Sequence, residues 1–353
     1  MFQPPRCPWR ACPRHADPTP GFCTRHGSYK PLCRPWPIPR FRCKTCRRTF
    51  SRQTFRMDYR DHRPDLNAKL FVFLACGVGL RQSGRVLGLS HRCTQLKARK
   101  IGRHLRRLNL NLRRPLPPGS TLNFDEVETY EGRRNTRPLT LPVLIETQSR
   151  FIVWTESATI PPSGRMTERR KALIRAEARR FGRRKDNSRQ AVRRTLRRGA
   201  ELAGGLERVV LYSDEKLSYP ALAEAAFGKE RLVHHRTGSR VPRTEWNPLA
   251  PINNTEAMAR DLTGRLRRES WLVTKRRRYL DVLVHVFVAY RNYVRRRINR
   301  EHRSAAEALG FAPRRLRPEE LLSWRQDGGE LSPHPLGKGR ESIGEWRSRR
   351  WVA

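Results

Sequence analysis

The stretch Thr121–Tyr130 alternates apolar and polar residues along its length, directly after a Pro-rich break at Pro115, Pro117, Pro118 and Gly119. A half-buried strand has this period. On such a strand Leu122 and Phe124 face one way, and Asn123 and Asp125 the other. The stretch is also acidic, with Asp125, Glu126, Glu128 and then Glu131, in a chain of formal net charge +44. A carboxylate cluster in so basic a chain points to a site that holds divalent cations beside a polyanion. A second strand-like run, Val209 to Glu215, repeats the arrangement: apolar residues, then Asp214 at the end. Two aspartates at the ends of neighbouring strands, completed by a group from a later helix, make a two-metal site suited to phosphoryl transfer.

Lys and Arg number 76 against 32 Asp and Glu, and they run through the whole 353 residues rather than forming a tail. Nucleic acid is the partner that such a charge selects, because each neutralised phosphate releases counterions. An Arg-rich chain of ribosomal type would share the charge but not the acidic motifs. Mean hydropathy is -0.77, polar but compatible with a core. No apolar run approaches the ~20 residues of a membrane span, and the N-terminus lacks an apolar signal region. Six of eight cysteines fall between Cys7 and Cys46. That clustering fits a metal site in a reducing cytoplasm better than a disulfide framework.

Residues 1–56 read as a zinc-stapled module. Cys7 and Cys12 make one ligand pair, Cys43 and Cys46 the other, separated by a Gly/Pro-rich span able to form a hairpin. Four thiolates suit a tetrahedral structural Zn²⁺, which stabilises a fold too small for a core. The first pair is looser than the usual two-residue gap, so Cys23, Cys33, His15 or His26 remain alternatives to Cys12. Residues 66–112 read as a helix-turn-helix, with Gly88-Leu89-Ser90 as the turn and Ser90 as N-cap. Its last helix carries Leu96, Ile101, Leu105 and Leu108 inward and offers His91, Arg92, Gln95 and Arg99 to a major groove. Cys76 and Cys93 are expected on the apolar side. A plain helical linker is the competing reading.

Residues 120–296 read as an α/β domain. Leu139–Glu146 and Arg150–Ser157 are further strands, with Gln148-Ser149 at their turn. Three successive strands followed by a long helical region is the order of a ribonuclease-H-like mixed sheet flanked by helices. Residues 166–204 form an Arg-rich helical insertion, expected to be solvated or to face DNA. A helix from Asn254 to Lys275 carries Arg260, Arg265, Arg268 and Lys275, and Tyr279–Val294 is broad enough to pack on a sheet. Residues 297–353 are a basic tail. Asn253 and Glu256, three apart, share a helix face with Arg260 one turn beyond Glu256. A capping box, with Asn253 as N-cap and Glu256 reaching back, is the competing structural role.

This order of parts resembles bacterial insertion-sequence transposases of the DDE, ribonuclease-H-like class that carry an N-terminal zinc ribbon and a helix-turn-helix. Four stretches carry the resemblance: Arg40 to Ser51 around Cys43 and Cys46; Phe124 to Gly132; Ser213-Asp214-Glu215; and Asn253 to Lys275. It implies Asp125 and Asp214 as metal ligands, Mg²⁺ as cofactor, and cut-and-join chemistry on double-stranded DNA, both terminal inverted repeats and target. It also implies a homo-oligomer on DNA in the bacterial cytoplasm, associated with the nucleoid. The family's third position is a Glu on a helix with a basic residue seven later. Here Asn253 has Arg260 seven later, whereas Glu256 has Thr263. Chemistry favours Glu256 as the ligand, since Mg²⁺ prefers anionic oxygens; register favours Asn253. An inactive DNA-binding derivative and a nuclease that cuts without joining are the other readings.

Overall fold

In the computed structural model, which describes residues 3–33, 36–111, 114–267 and 270–325, the N-terminal module is a short helix α1 (Pro13–Ala16) and three strands. These are β1 (Cys23–Tyr29), β2 (Ile38–Cys43) and β3 (Thr49–Ser51), antiparallel in the order β1-β2-β3. The span between the cysteine pairs does form a hairpin. Its buried apolar core amounts to Phe22, Phe50 and Phe55 beside the cysteines, with Phe22 stacked on Phe50 at 6.3 Å between ring centroids. Three phenylalanines cannot offset the ordering entropy of some fifty residues, so a metal staple is physically apt.

Helices α2 (Asn67–Ala75), α3 (Leu80–Val86) and α4 (His91–Asn111) follow. Gly88 closes α3 at φ +62°, a conformation that favours glycine. The Ser90 hydroxyl accepts from the Cys93 N–H at 3.2 Å, as an N-cap should. Ile101, Leu105 and Leu108 are buried as expected, but Leu96 is 49 % exposed. Five positions before Ile101, it lies about 140° round the helix from that face. Cys76 is exposed and Cys93 half-buried, so neither is a core residue. Leu70, Phe71, Ile101 and Leu105 belong to the same apolar cluster as Leu122 and Phe124. The helical segment and the sheet therefore share a core.

The main sheet contains β4 (Thr121–Tyr130), β5 (Pro138–Glu146), β6 (Ile152–Thr155), β7 (Ala158–Thr159), β8 (Val209–Asp214) and β9 (Leu232–Thr237). Its order is β6-β5-β4-β8-β9, with β7 pairing β5 beyond β6. β4, β5 and β6 pair antiparallel, whereas β8 and β9 run parallel to β4. This mixed sheet flanked by helices is consistent with a ribonuclease-H-like core. The turn after β5 is held by the buried Glu146 carboxylate, which accepts from the N–H groups of Gln148 and Ser149.

The Arg-rich stretch 166–204 divides in two. Helix α5 (Glu168–Phe181) buries no side chain, whereas α6 (Ser188–Leu202) buries Ala191, Val192, Leu196 and Leu202 against the sheet. Their helical spacing overrides the arginine content, so α6 is a packed crossover rather than a solvated insertion. Gly199 lets α6 approach β5, since a Cβ there would overlap Leu144 Cδ2. Next come α7 (Tyr219–Phe227), α8 (Ala250–Leu262), α9 (Arg277–Ala289) with a π-type turn at Tyr290–Val294, α10 (Ala305–Ala308) and α11 (Pro318–Ser323). Helix α8 starts earlier than Asn254 because Pro251 stands in its first turn, and it ends at Leu262, well short of Lys275. Only 297–325 of the expected basic tail is described, and it contributes the buried Ala305, Phe311 and Leu321 to the main core. Among the described residues no helix is long and apolar enough to cross a membrane.

Candidate active site and metal centres

Parallel pairing of β4 with β8 matches Thr121 to Val210, Leu122 to Leu211 and Asn123 to Tyr212. The offset is 89 residues (210 − 121), and Asp214 stands at the same offset from Asp125 (214 − 125). Residues level on adjacent parallel strands point to the same face, at a strand spacing of about 4.8 Å. Asp125 and Asp214 are brought together in this way, and each charge is felt by the same neighbours.

The rest of the acidic stretch goes elsewhere. Even positions of β4 face α7: Phe124 meets Tyr219 edge-on at 4.9 Å, and Glu126 accepts from Tyr219 Oη at 2.7 Å and Thr140 Oγ1 at 2.6 Å. Lys216 completes the pocket around Glu126. Glu131 is taken up by Arg137 and by the backbone N–H of Arg277. Odd positions face α8, where Val127 packs in a cluster with Leu249, Ile252 and Ala259. Asn123 Nδ2 donates to the Pro248 carbonyl at 2.9 Å, which ties β4 to the chain two residues before α8. Alternation thus sends Asp125, alone among the three carboxylates within β4, towards α8 and Asp214.

Helix α8 brings Glu256 to the two aspartates. Its N-cap is Leu249, and the Asn253 N–H already donates to the Leu249 carbonyl at 2.9 Å. Asn253 therefore lies inside the helix, half-buried one turn before Glu256, and the capping-box role is overturned. Burial, followed by the Asp125 charge, pushes the Glu256 carboxyl up to about 8, with Arg260 and Arg243 pulling the other way. Burial also pushes Asp125 up to about 6; the Glu126 N–H, at 2.7 Å, opposes this and the Asp214 charge adds to it. Glu256 Oε1 is buried without a hydrogen-bond partner. Like charges gathered in a partly dry site hold protons until a cation replaces them. Carboxylate oxygens are the donor type a hard divalent ion such as Mg²⁺ takes, whereas among the described residues the four thiols are the group already gathered closely enough to hold an ion. Arg260 Nη1 donates to the Glu128 carbonyl at 3.2 Å, so it spans from α8 to β4. Arg243, on the loop between β9 and α8, was not legible in the sequence; no spacing rule relates it to either acid.

The four thiols of Cys7, Cys12, Cys43 and Cys46 form the second centre, all within 4.8 Å of one another. Cys7 Sγ lies 3.7 Å from Cys46 Sγ, and Cys12 Sγ 3.8 Å from Cys43 Sγ. A tetrahedron with Zn–S near 2.3 Å has edges of about 3.8 Å, so the cluster fits zinc. Burial opposes ionisation of Cys43, but the N–H groups of Cys46 and Thr45 and the adjacent thiols outweigh it and hold that thiol at about 7. Arg47, at φ +59°, makes the tight return of this knuckle. Of the alternatives to Cys12, Cys23 pairs across the hairpin with Cys43 but stands outside the cluster, and His15 instead bonds the Cys7 carbonyl at 2.8 Å.

No protein-family model matches the sequence, and neither does any curated protein. Among solved structures, the catalytic domain of the Mos1 mariner transposase aligns with 54% of this chain and 88% of that domain, at 12% identity. The TM-score is 0.23, too low to carry an argument.

The residues expected to meet DNA are scattered more widely than one helix each. His91, Arg92 and Gln95 are exposed at the start of α4, where Gln95 Nε2 and His91 Nε2 lie 2.9 Å apart. Arg99, further along, is half-buried with its guanidinium 5.3 Å from the Tyr279 ring centre. Arg265 and Lys275 lie beyond the end of α8; Arg265 is half-buried and Lys275 exposed. Arg268 lies outside the described residues.

Proposed function

We propose that this chain is a DNA transposase of the DDE, ribonuclease-H-like class, cutting and joining the ends of a mobile element. The observation that carries the reading is the approach of Asp125, Asp214 and Glu256, from two parallel strands and a later helix, close enough to shift one another's ionisation, with Glu256 Oε1 buried and unpartnered. Asp125, Asp214 and Glu256 would hold Mg²⁺, with Asn253 beside them. The bound ions supply Lewis-acid activation of the attacking oxygen and charge neutralisation at the leaving oxygen. The three carboxylates fix where a phosphodiester must lie for in-line attack. Arg260 and Arg243, both close enough to act on Glu256, offset its charge and are placed to contact phosphate. In this reading the zinc module and the α3–α4 pair select the terminal inverted repeats, through His91, Arg92, Gln95 and Arg99, and Arg265, Arg268 and Lys275 support the duplex. A homo-oligomer would pair the two ends.

The test is a supercoiled donor plasmid incubated with protein and Mg²⁺, followed by mapping of nicks and joined products. Strand transfer is the expected result. Cleavage without joining would make the chain a nuclease, and binding without cleavage an inactive derivative; either would overturn the proposal.

A further inference from the structure

We propose that the groove between α5 and the segment 270–278 binds a single-stranded stretch of nucleic acid leading away from the carboxylate site. The inference rests on the reading above only in taking nucleic acid as what lies at Asp125.

The groove is a product of β4 running on beyond the site. Past Tyr130, Glu131 bridges to Thr274, and the Gly132 N–H donates to the Thr274 carbonyl at 2.7 Å. Those bonds hold residues 270–278 along one side. On the other side α5 is moored by Arg170 Nε to the Asn135 carbonyl at 2.9 Å and by Arg133 to Glu177 at 3.8 Å. Between them lies a cavity of about 920 Å³. A smaller one of about 390 Å³, walled by Glu128, Tyr130, Arg134 and Arg170, lies next to it along the same strand, on the Asp125 side. From Asp125 to Glu131 is six residues of strand, about 20 Å. At 3.4 Å per nucleotide of a duplex strand that is about six nucleotides, and fewer if the strand is extended.

Charge and shape choose the occupant. Seven of the charged side chains lining the larger cavity are cationic and two, Glu131 and Glu177, anionic. A chain of net charge +44 has basic surface in many places, so charge alone does not single this groove out. Phe181 does: at the end of α5 it is 58 % exposed on the cavity wall, with the guanidiniums of Arg137 and Arg180 4.6 and 5.0 Å from its ring centre. An exposed aromatic among arginines, beside the end of the strand that carries Asp125, is the arrangement that binds unpaired bases by stacking and their phosphates by charge. An acidic peptide would satisfy the cations and leave Phe181 without use.

The experiment is equilibrium binding, without divalent ions, of a fluorescent single-stranded 12-mer to the full-length protein and to Phe181→Ala and Arg180→Glu/Arg276→Glu. Each variant is first checked for an unchanged melting temperature; all three residues are on solvent-facing surface. Both variants should weaken binding on the order of tenfold, as loss of one stacked base does. A photoreactive base placed about six nucleotides from a nick should cross-link to the Phe181 peptide. Undiminished binding by the folded variants overturns the proposal. So does polyglutamate that competes through Arg180 and Arg276 while Phe181→Ala has no effect, which would assign the groove to an acidic protein. Because no cleavage is measured, failure here is distinct from failure of the catalytic reading, which the plasmid assay decides.

Discussion

Asn123 and Pro248 are 125 residues apart, and the amide of the first donates to the carbonyl of the second at 2.9 Å. Asn123 is fully buried, two positions before Asp125 on the same face of β4; Pro248 is two residues before the first residue of α8. The bond therefore sets the height at which α8, and with it Glu256, starts relative to the aspartates. Asn123→Leu keeps the volume and deletes the donor. The expected stability loss is about 0.5–1.5 kcal/mol, the net worth of one hydrogen bond, because Pro248 is exposed and its carbonyl can turn to water. The Mg²⁺ concentration for half-maximal cleavage should rise several-fold with DNA binding unchanged. A titration that superimposes on wild type would show that Asn123 only packs.

The three carboxylates are predicted to act as a unit. Asp125→Asn, Asp214→Asn and Glu256→Gln should each lower cleavage at least about a hundredfold, the size that even an outer partner of a metal ligand can cost. Gel-shift affinity for DNA should hold, since none of them is needed to contact backbone phosphate in the absence of metal. Asn253→Ala separates the two candidates for the third position. It should leave most cleavage intact, because an amide oxygen adds no charge to the site. Full activity of Asp125→Asn would end the catalytic reading.

For the zinc centre, the expected result is one zinc per chain by elemental analysis of purified protein. Cys43→Ser or Cys46→Ser should release it, because three thiolates and a hydroxyl are a poor structural site. Amide exchange in residues 1–56 should then rise to that of unfolded chain, since Phe22, Phe50 and Phe55 are nearly all the core that remains. The melting transition of the α/β domain should be unchanged. Protein purified free of zinc, with protected amides in that module, would contradict the assignment.

Much of this arrangement could be read from the chain because it follows from period. Alternation in Thr121–Tyr130 is a strand property, and it alone puts Asp125 opposite to Phe124; the Pro-rich break and Gly88-Leu89-Ser90 punctuate the helices by local backbone chemistry. The misreadings arose where tertiary packing decides. Arginine content made α6 look solvated, yet Ala191, Val192 and Leu196 at helical spacing bury it. The limits of α8 depend on which proline starts a helix: Pro251 stands in its first turn, ahead of the start expected at Asn254. Register between β4 and β8, and the approach of Arg243 to two acids, arise from pairing across more than eighty residues, and no local pattern encodes them.

His104 provides a prediction with a definite sign. It is fully buried on α4, its Nε2 lies 2.9 Å from the Leu321 carbonyl, and its ring packs against Trp324 at 5.4 Å. Burial, partly offset by the Leu321 carbonyl, pushes it down to about 4, against about 6.5 in the unfolded chain. Between those values the unfolded chain takes up a proton that the folded protein refuses. The stability due to a neutral His104 is therefore complete above pH 6.5 and drains away as pH falls towards 4, by about 3 kcal/mol in all. His104→Gln keeps a donor for the Leu321 carbonyl and cannot titrate. Asp125 and Glu256 titrate in both proteins and cancel in the comparison. Urea midpoints at pH 7, 5.5 and 4.5 should thus show the variant gaining on wild type as the solution is acidified. Parallel curves would mean that the folded protein protonates His104 as readily as the unfolded chain does.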